Sequence, residues 1–387
     1  MTVRRLKREE IIEAAKIRSI SFHYEMNVEE TAKGIAEMPE ERIRQNWGCF
    51  DEDGRLMACI INNDFQARFD GHLVKMGGIG GVATLPEYRY GGAVKAIFSS
   101  LLRAAREEGE VFSALYPFSH EFYRKVGYEM FLPMKEYEFP PSLTGGYKHT
   151  GWARRMEKGA DIAQMKEVYE AFAAKYNLML RRKDERYAIG DPFGAQEFTV
   201  LLGNAGGAQA YMYYRTDKTE GKNVLGVRDI AFKDAEGFRM CLGYLGRMSA
   251  DYAAVRLTLP EDVPLMEMVP RPYEVKARFK QLPMARMTNV PKALELMTKP
   301  AEADFTVQVT DEFLPENSGV YRVTAGGVER TSGNADIEAS EQALTLMALG
   351  ALSLEEAEYR TDVKVIGNRA ALAGAFTRKP LFIADYF

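Results

Sequence analysis

Gly80-Gly-Val-Ala-Thr-Leu-Pro-Glu-Tyr-Arg-Tyr-Gly-Gly-Ala-Val-Lys95 is the stretch on which the reading of this chain turns. A β-branched strand ends at Pro86, an Arg-x-x-Gly turn occupies 89–92, and a helical pattern without proline begins at once and runs to about residue 108. A strand feeding a Gly-rich turn at a helix N-terminus makes an anion site, because free backbone N–H groups and the helix dipole point at the ligand. Gly91 and Gly92 let backbone amides approach phosphate oxygens closely, since glycine has no side chain and tolerates positive φ. Arg89 adds a charge or a structural hydrogen bond. The Lys-Ser/Thr of a P-loop and the glycine spacing of a dinucleotide fingerprint are both missing.

Composition bounds the rest. A chain of 387 residues holds two or three domains with ample core. A net charge of -4 and the lack of a Lys/Arg run argue against nucleic acid as a partner. Cys49, Cys59 and Cys241 are odd in number and contain no Cys-x-x-Cys pair, which speaks against a disulfide framework or a structural zinc site and for a reducing compartment. The N-terminal Met-Thr-Val-Arg-Arg-Leu-Lys-Arg-Glu-Glu lacks the apolar core of a signal peptide, and no run is long enough to span a membrane. The expectation is a soluble, cytoplasmic protein with no metal, nucleic-acid or membrane partner.

The pattern of apolar residues predicts a mixed α/β first region. Ile11, Ile12, Ala15 and Ile17 give a helical stripe, and a second helical region covers 30–47. Strands are expected at 47–50 and 56–62 around an Asp53-Gly54 turn, then at 75–84 after Asp70-Gly71, at 111–116 and at 128–139, with a short helix over 119–126. A helix linking two buried strands implies a parallel crossover. Pro140-Pro141 and Gly145-Gly146 mark a boundary. From there to about residue 285 the same order repeats faintly, with strand, helix and strand over 224–259. Its turn, Phe232-Lys-Asp-Ala-Glu236, sets two acids where phosphates would sit, so this copy should bind no pyrophosphate. A third region follows, with alternating strands near 305–309 and 321–323 and a helix over 341–349 between Ser340 and Gly350. The chain closes on Pro380-Leu-Phe-Ile-Ala-Asp-Tyr-Phe387, apolar and aromatic to its last residue, where most termini are polar and frayed.

Two more positions invite a chemical reading. Tyr123, in Phe122-Tyr-Arg-Lys-Val-Gly-Tyr128, stands one strand beyond the turn. A phenol there is a general acid or simply a core residue. The α-carboxylate of Phe387 is either a base whose pKa burial would raise or the end of a docked tail. His23, His72, His120 and His149 form no spaced constellation.

Residues 80–128 resemble a GNAT-type N-acetyltransferase. The whole layout is similar to the bacterial enhanced intracellular survival (Eis) acetyltransferases: an active domain, a degenerate second one and a C-terminal domain ending in Phe. The resemblance implies an α/β (α+β) fold of two tandem GNAT-like domains, 1–148 and 149–288, plus a sterol-carrier-protein-like α+β domain, 289–387. It implies acetyl-CoA as cosubstrate, a small-molecule amine such as an aminoglycoside as acceptor, and a hexamer. Val82, Ala83 and Thr84 would be the cofactor-facing strand. Arg89, Tyr90, Gly91, Gly92, Ala93, Val94 and Lys95 would form the pyrophosphate loop, with Phe118 and Ser119 flanking the CoA tail. Tyr123 matches the general acid, the Phe387 carboxylate the base, and Phe22 an aromatic wall of the amine pocket. Ser21-Phe-His-Tyr24 lacks the acid that lines that pocket in aminoglycoside-active members. Lysine or peptide acetylation is a second enzymatic reading, and a non-catalytic acyl-CoA or lipid-binding protein a third.

Overall fold

The computed structural model describes residues 1–148 and 151–387, so His149 lies outside the described residues. The chain forms two compact units. One holds Met1–Phe131, Pro283–Lys379 and Tyr386–Phe387; the other holds Leu132–Leu282 and Pro380–Asp385.

In the first unit, β1 (Thr2–Arg5), β2 (Asn46–Phe50), β3 (Leu56–Phe69), β4 (His72–Thr84), β5 (Glu110–Leu115) and β6 (Glu129–Met130) share a seven-stranded sheet, with Met284–Met287 inserted between β5 and β6. Between β1 and β2 run α1 (Ile11–Phe22), α2 (Val28–Ala36) and α3 (Glu40–Arg44). The helical pattern expected over 30–47 therefore stops short of Trp47, which is a strand residue of β2. Asp70 and Gly71 take φ of 47° and 83° and join β3 to β4 as a left-handed pair, a turn whose twist matches the strands it connects.

The crossover predicted from the Gly-rich turn is present. Helix α4 (Ala93–Glu107) links β4 to β5, which pair in parallel from Lys75↔Glu110 to Ile79↔Leu115. Ala93, Ile97, Phe98, Leu101, Leu102 and Ala105 form one buried stripe on α4. Each of the larger side chains in that stripe contributes about 1.5–3 kcal/mol on burial. After β5 the short helix α5 (His120–Arg124) starts at Ser119, whose hydroxyl accepts the Phe122 N–H at 3.3 Å.

One expectation is corrected. The single strand read over 128–139 is two strands, separated by Phe131, Leu132 and Pro133, a proline being unable to donate to a ladder. β6 stays in the first sheet, and Met134–Phe139 pairs with Ala254–Leu259 in the second unit. The slot beside β5 is filled from far along the chain, by Met284–Met287.

The third sheet also belongs to the first unit, in the order Gly327–Thr331, Gly319–Thr324, Asp304–Thr310, Ile337–Ser340, Val363–Val365. The helix Glu341–Leu349 packs beside it, capped by Ser340, which accepts the Ala343 N–H at 3.0 Å, and stopped by Gly350 at φ 81°.

The second unit repeats the crossover. Lys222–Phe232 and Ala254–Leu259 pair in parallel and are joined by the helix Ala235–Gly246. Its turn behaves as its acids suggest. The Asp234 carboxylate accepts the N–H groups of Glu236 and Gly237 at 2.9 and 3.0 Å and so occupies the place an anion would take. Deep in this unit Arg182 bonds Asp229 and Asp385, with its guanidinium 4.2 Å above the Tyr169 ring.

Candidate active site

The site is built on the far end of β4. Between Cys59↔Ala83 and Ile61↔Gly80 the register slips, so Gly81 and Val82 face Ile60 alone. Gly81 has φ 57°, the left-handed residue of a glycine bulge. β5 ceases to pair at Leu115, opposite Ile79, while β4 continues to Thr84. The two parallel strands thus part, and among the described residues no strand pairs with the β5-side edge of 80–84. An extended amide chain can add to such an edge as a strand would. Val82 and Thr84 are half-buried, and Ala83 is buried against the α1 core cluster. Thr84 O accepts the Ser21 hydroxyl at 3.3 Å, which ties the end of α1, with exposed Phe22 at its last position, to the end of β4.

Just beyond, Tyr90 (φ 65°) and Gly92 (φ 81°) are both left-handed. Arg89, Gly91 and Lys95 are exposed, Val94 is half-buried, and Ala93 is buried under the helix. Gly92 is the N-cap of α4, and no side chain caps the helix. Its first turn carries no acid, so its leading N–H groups remain available to an anion. This is the opposite of the Asp234-capped copy. Beside it Gly92, Lys95, Ala96, Ser99, Lys125, Glu312 and Phe313 line a cavity of about 460 Å³. Two cations, Lys95 and Lys125, and one acid, Glu312, face this cavity.

Tyr123 lies on α5 with 3% of its surface exposed. Its ring packs edge-on against Phe98 of α4 and against Phe118 and Phe122 at 5.2 to 6.1 Å. Val82 and Val94 pack on the same cluster. Burial pushes its phenol far above the ordinary tyrosine range. Among the described residues no hydrogen bond engages its hydroxyl, which leaves the O–H for a ligand. Phe118 is largely exposed, whereas Ser119 is committed to capping α5.

The terminus sits on the glycines of β4. A Cβ on Gly78 would stand 2.3 Å from the Phe65 ring and 2.8 Å from that of Phe387, and one on Gly80 would stand 3.3 Å from the Phe387 carboxyl carbon. Phe387 packs against Phe65 and Tyr116, and Tyr386 stacks on Tyr116 at 4.6 Å. The carboxyl therefore rests over the backbone of β4 at the point where the strands part. Sequence reading missed the residues that make this seat: Gly78, Gly80, Phe65 and Tyr116. The Met76-Gly-Gly-Ile-Gly-Gly81 run was a usable signal, because glycines recurring in a strand mark close approach of another group. It also missed Arg18, whose stem lies against Gly81 on the opposite face.

On that opposite face Gly77 makes room for Asn62 and Glu110. Asn62 Nδ2 donates to Glu110 Oε1 at 2.8 Å, and burial pushes the Glu110 carboxyl up to about 7. Of the histidines, His23 ends α1 at φ 56° and His120 begins α5. Among the described residues no group of three His, Cys, Asp or Glu side chains could hold a metal, and no helix is long and apolar enough to cross a membrane.

Comparison with known proteins agrees with this architecture. Residues 2–131 and 178–287 each match an acetyltransferase (GNAT) domain, and 290–383 match a sterol carrier protein domain. The chain is similar to an uncharacterized N-acetyltransferase of Streptomyces griseus, 27% identical over 268 residues, which cover 62% of this chain and 64% of that protein's length. Two solved structures share the fold over all of this chain and all of theirs. They are Eis1 from Mycobacterium abscessus, with TM-score 0.82 and 21% identity, and a GCN5-related N-acetyltransferase from Anabaena variabilis, with TM-score 0.83 and 20% identity. With two GNAT matches and a sterol-carrier match after them, the chain carries two acetyltransferase (GNAT) domains and a C-terminal sterol-carrier-protein-like domain.

Proposed function

We propose that the protein transfers an acetyl group from acetyl-CoA to a primary amine of a cationic small molecule, with Tyr123 as general acid and the Phe387 carboxylate as base. The observation that carries this reading is the opened edge of β4, which has an uncapped helix N-terminus just beyond it and a carboxyl resting over Gly80. The N–H groups at Gly92 to Lys95, with Arg89 beside them, hold the pyrophosphate. The free edge at Val82 to Thr84 pairs with the pantetheine amides and presents N–H groups to the thioester oxygen, where charge develops as the amine attacks. The Phe387 carboxylate takes the proton of the attacking amine, directly or through one water. The departing sulfur receives a proton from the Tyr123 hydroxyl, which burial keeps protonated across the neutral range.

The exposed aromatics Phe22 and Tyr24, followed by the exposed acids Glu25, Glu29 and Glu30, favour an acceptor with both ring faces and positive charge. Aminoglycosides and polyamines both fit that description. The family resemblance extends the proposal to hexameric assembly and a cytoplasmic location. The test is thiol release from acetyl-CoA with aminoglycosides, polyamines and lysine peptides in parallel. Release with a multi-amine small molecule and little with peptides is expected; release with peptides alone would replace the acceptor class, and none with any amine would reject the reaction.

A further inference from the structure

The helix that carries Tyr123 is too short to hold itself. It has five residues, and isolated turns of that length are unstable in water. The phenol adds no anchor, since its hydroxyl has no hydrogen-bond partner among the described residues. The turn is closed on the C-terminal side by two N–H groups, of Val126 and Tyr128, that both donate to Tyr123 O at 3.1 Å. Two groups from outside reach into this closure: Gln342 donates from Nε2 to Arg124 O at 3.1 Å, and a buried arginine reaches the next carbonyl but one. Arg286, on the strand Met284–Met287, is fully buried and donates from Nη1 to Val126 O at 2.6 Å. The fit leaves no slack, because Gly127 is left-handed at φ 88° and a Cβ there would stand 2.3 Å from the same nitrogen.

Arg286 is in turn fixed from the third region. Its Nη2 donates to Asp311 at 2.6 Å, and Asp311 also accepts Asn317 Nδ2 at 3.0 Å and the N–H groups of Phe313 and Leu314. The next residue, Met287, donates its N–H to Glu341 at 2.6 Å. Arginine suits this arrangement, since its planar fork presents donors to a carbonyl and a carboxylate in two fixed directions at once. We infer that Arg286, held by Asp311 of the sterol-carrier-like domain, is the positioning residue that sets the Tyr123 phenol at the reacting sulfur through the Val126 carbonyl. The proposal rests on Tyr123 being the general acid. It gives the C-terminal domain a part in proton transfer that is separate from supplying Phe387.

The test is a double-mutant cycle on the full chain, reading thiol release from acetyl-CoA with a mixture of spermidine and neomycin as the amine probe. Arg286→Met should lower kcat by about ten- to a hundredfold, the loss expected of a misplaced catalytic group, with KM for acetyl-CoA within about threefold. In a Tyr123→Phe background the same substitution should change kcat by less than about threefold, because the group it positions is gone. Equal losses in both backgrounds would mean that Arg286 merely supports the fold, and would overturn the inference while leaving the acetyl-transfer reading intact. An unchanged kcat in Tyr123→Phe, or no release by the unmodified protein, would reject the mechanism and this inference with it. Should Arg286→Met fail to fold by circular dichroism, Arg286→Lys is read in the same cycle. It retains the charge beside Asp311 but loses the two fixed donor directions, so it should show the same background-dependent loss.

Discussion

Glu110→Gln tests whether the carboxyl beneath Gly77 is held as a neutral acid. Glu110 Oε2 and Asn62 Oδ1 are two buried acceptors without hydrogen-bond partners among the described residues, and both lie 2.4 Å from where a Cβ on Gly77 would stand. A proton on Oε2 satisfies both, closing a ring with the Asn62 Nδ2 donation to Oε1. Burial raises this carboxyl to about 7, with Asp64 and Glu108 adding to the rise and Asn62 and Lys75 opposing it. In the unfolded chain it would titrate near 4.3. Below that value both states hold the proton and nothing is lost. Between the two values only the folded state holds it, so stability falls as pH rises, and above about 7 the cost is constant. The gap of about 2.7 pH units amounts to about 4 kcal/mol at 1.36 kcal/mol per unit. Glutamine reproduces the ring, giving an N–H to Oδ1 and accepting at Oε1, but cannot ionise. Melting curves at pH 4.5 and pH 8.5 should therefore separate. The variant should match the parent at the lower pH and exceed it by roughly 8–16 °C at the higher, at about 2–4 °C per kcal/mol for a body of this size. Parallel curves at both pH values would show that Glu110 is ionised in the fold and that its second oxygen has another donor.

Three further outcomes follow from the site. Tyr123→Phe should lower kcat by about a hundredfold or more while leaving the KM for acetyl-CoA nearly unchanged, measured by steady-state thiol release. Two glycines appended after Phe387 should abolish turnover and leave acetyl-CoA affinity, read by calorimetric titration, within about twofold of the parent, since only acceptor deprotonation is touched. Gly92→Asp copies the Asp234 cap onto α4, a substitution a left-handed position accepts better from Asp than from most residues. It should weaken acetyl-CoA binding by at least tenfold, placing a carboxylate where phosphate oxygens would bind; unchanged binding would move the pyrophosphate off this turn.

Much of this architecture was readable from local chemistry. The Gly91-Gly92 turn, the crossover around α4 and the acid-filled turn of the second copy all depend on residues within one turn of each other, where glycine, proline and capping rules act directly. The exchange of strands did not yield to such rules. The pattern over 128–139 marks strand but not which sheet receives Met134–Phe139, and the four residues Met284–Met287 carry no strand pattern of their own; both placements are made by packing. Arg286 was hidden for the same reason: an arginine in Met284-Ala-Arg-Met287 reads as a solvent-facing charge until Asp311, 25 residues on, is seen to meet it. The seat for Phe387 was half legible. The apolar tail announced that it docks, but only the structure shows that the alternate glycines of β4 were left bare to receive it.

That seat has a consequence for how the site comes together. Gly78 and Gly80 lie about three hundred positions from the Phe387 they receive, whereas every residue of the phosphate turn lies within 89–95. Loosening the tail would therefore strip the carboxyl from the edge of β4 and leave the turn whole. In the proposed mechanism such a chain still holds acetyl-CoA but cannot deprotonate the amine, so cofactor binding outlasts acetyl transfer as the fold frays.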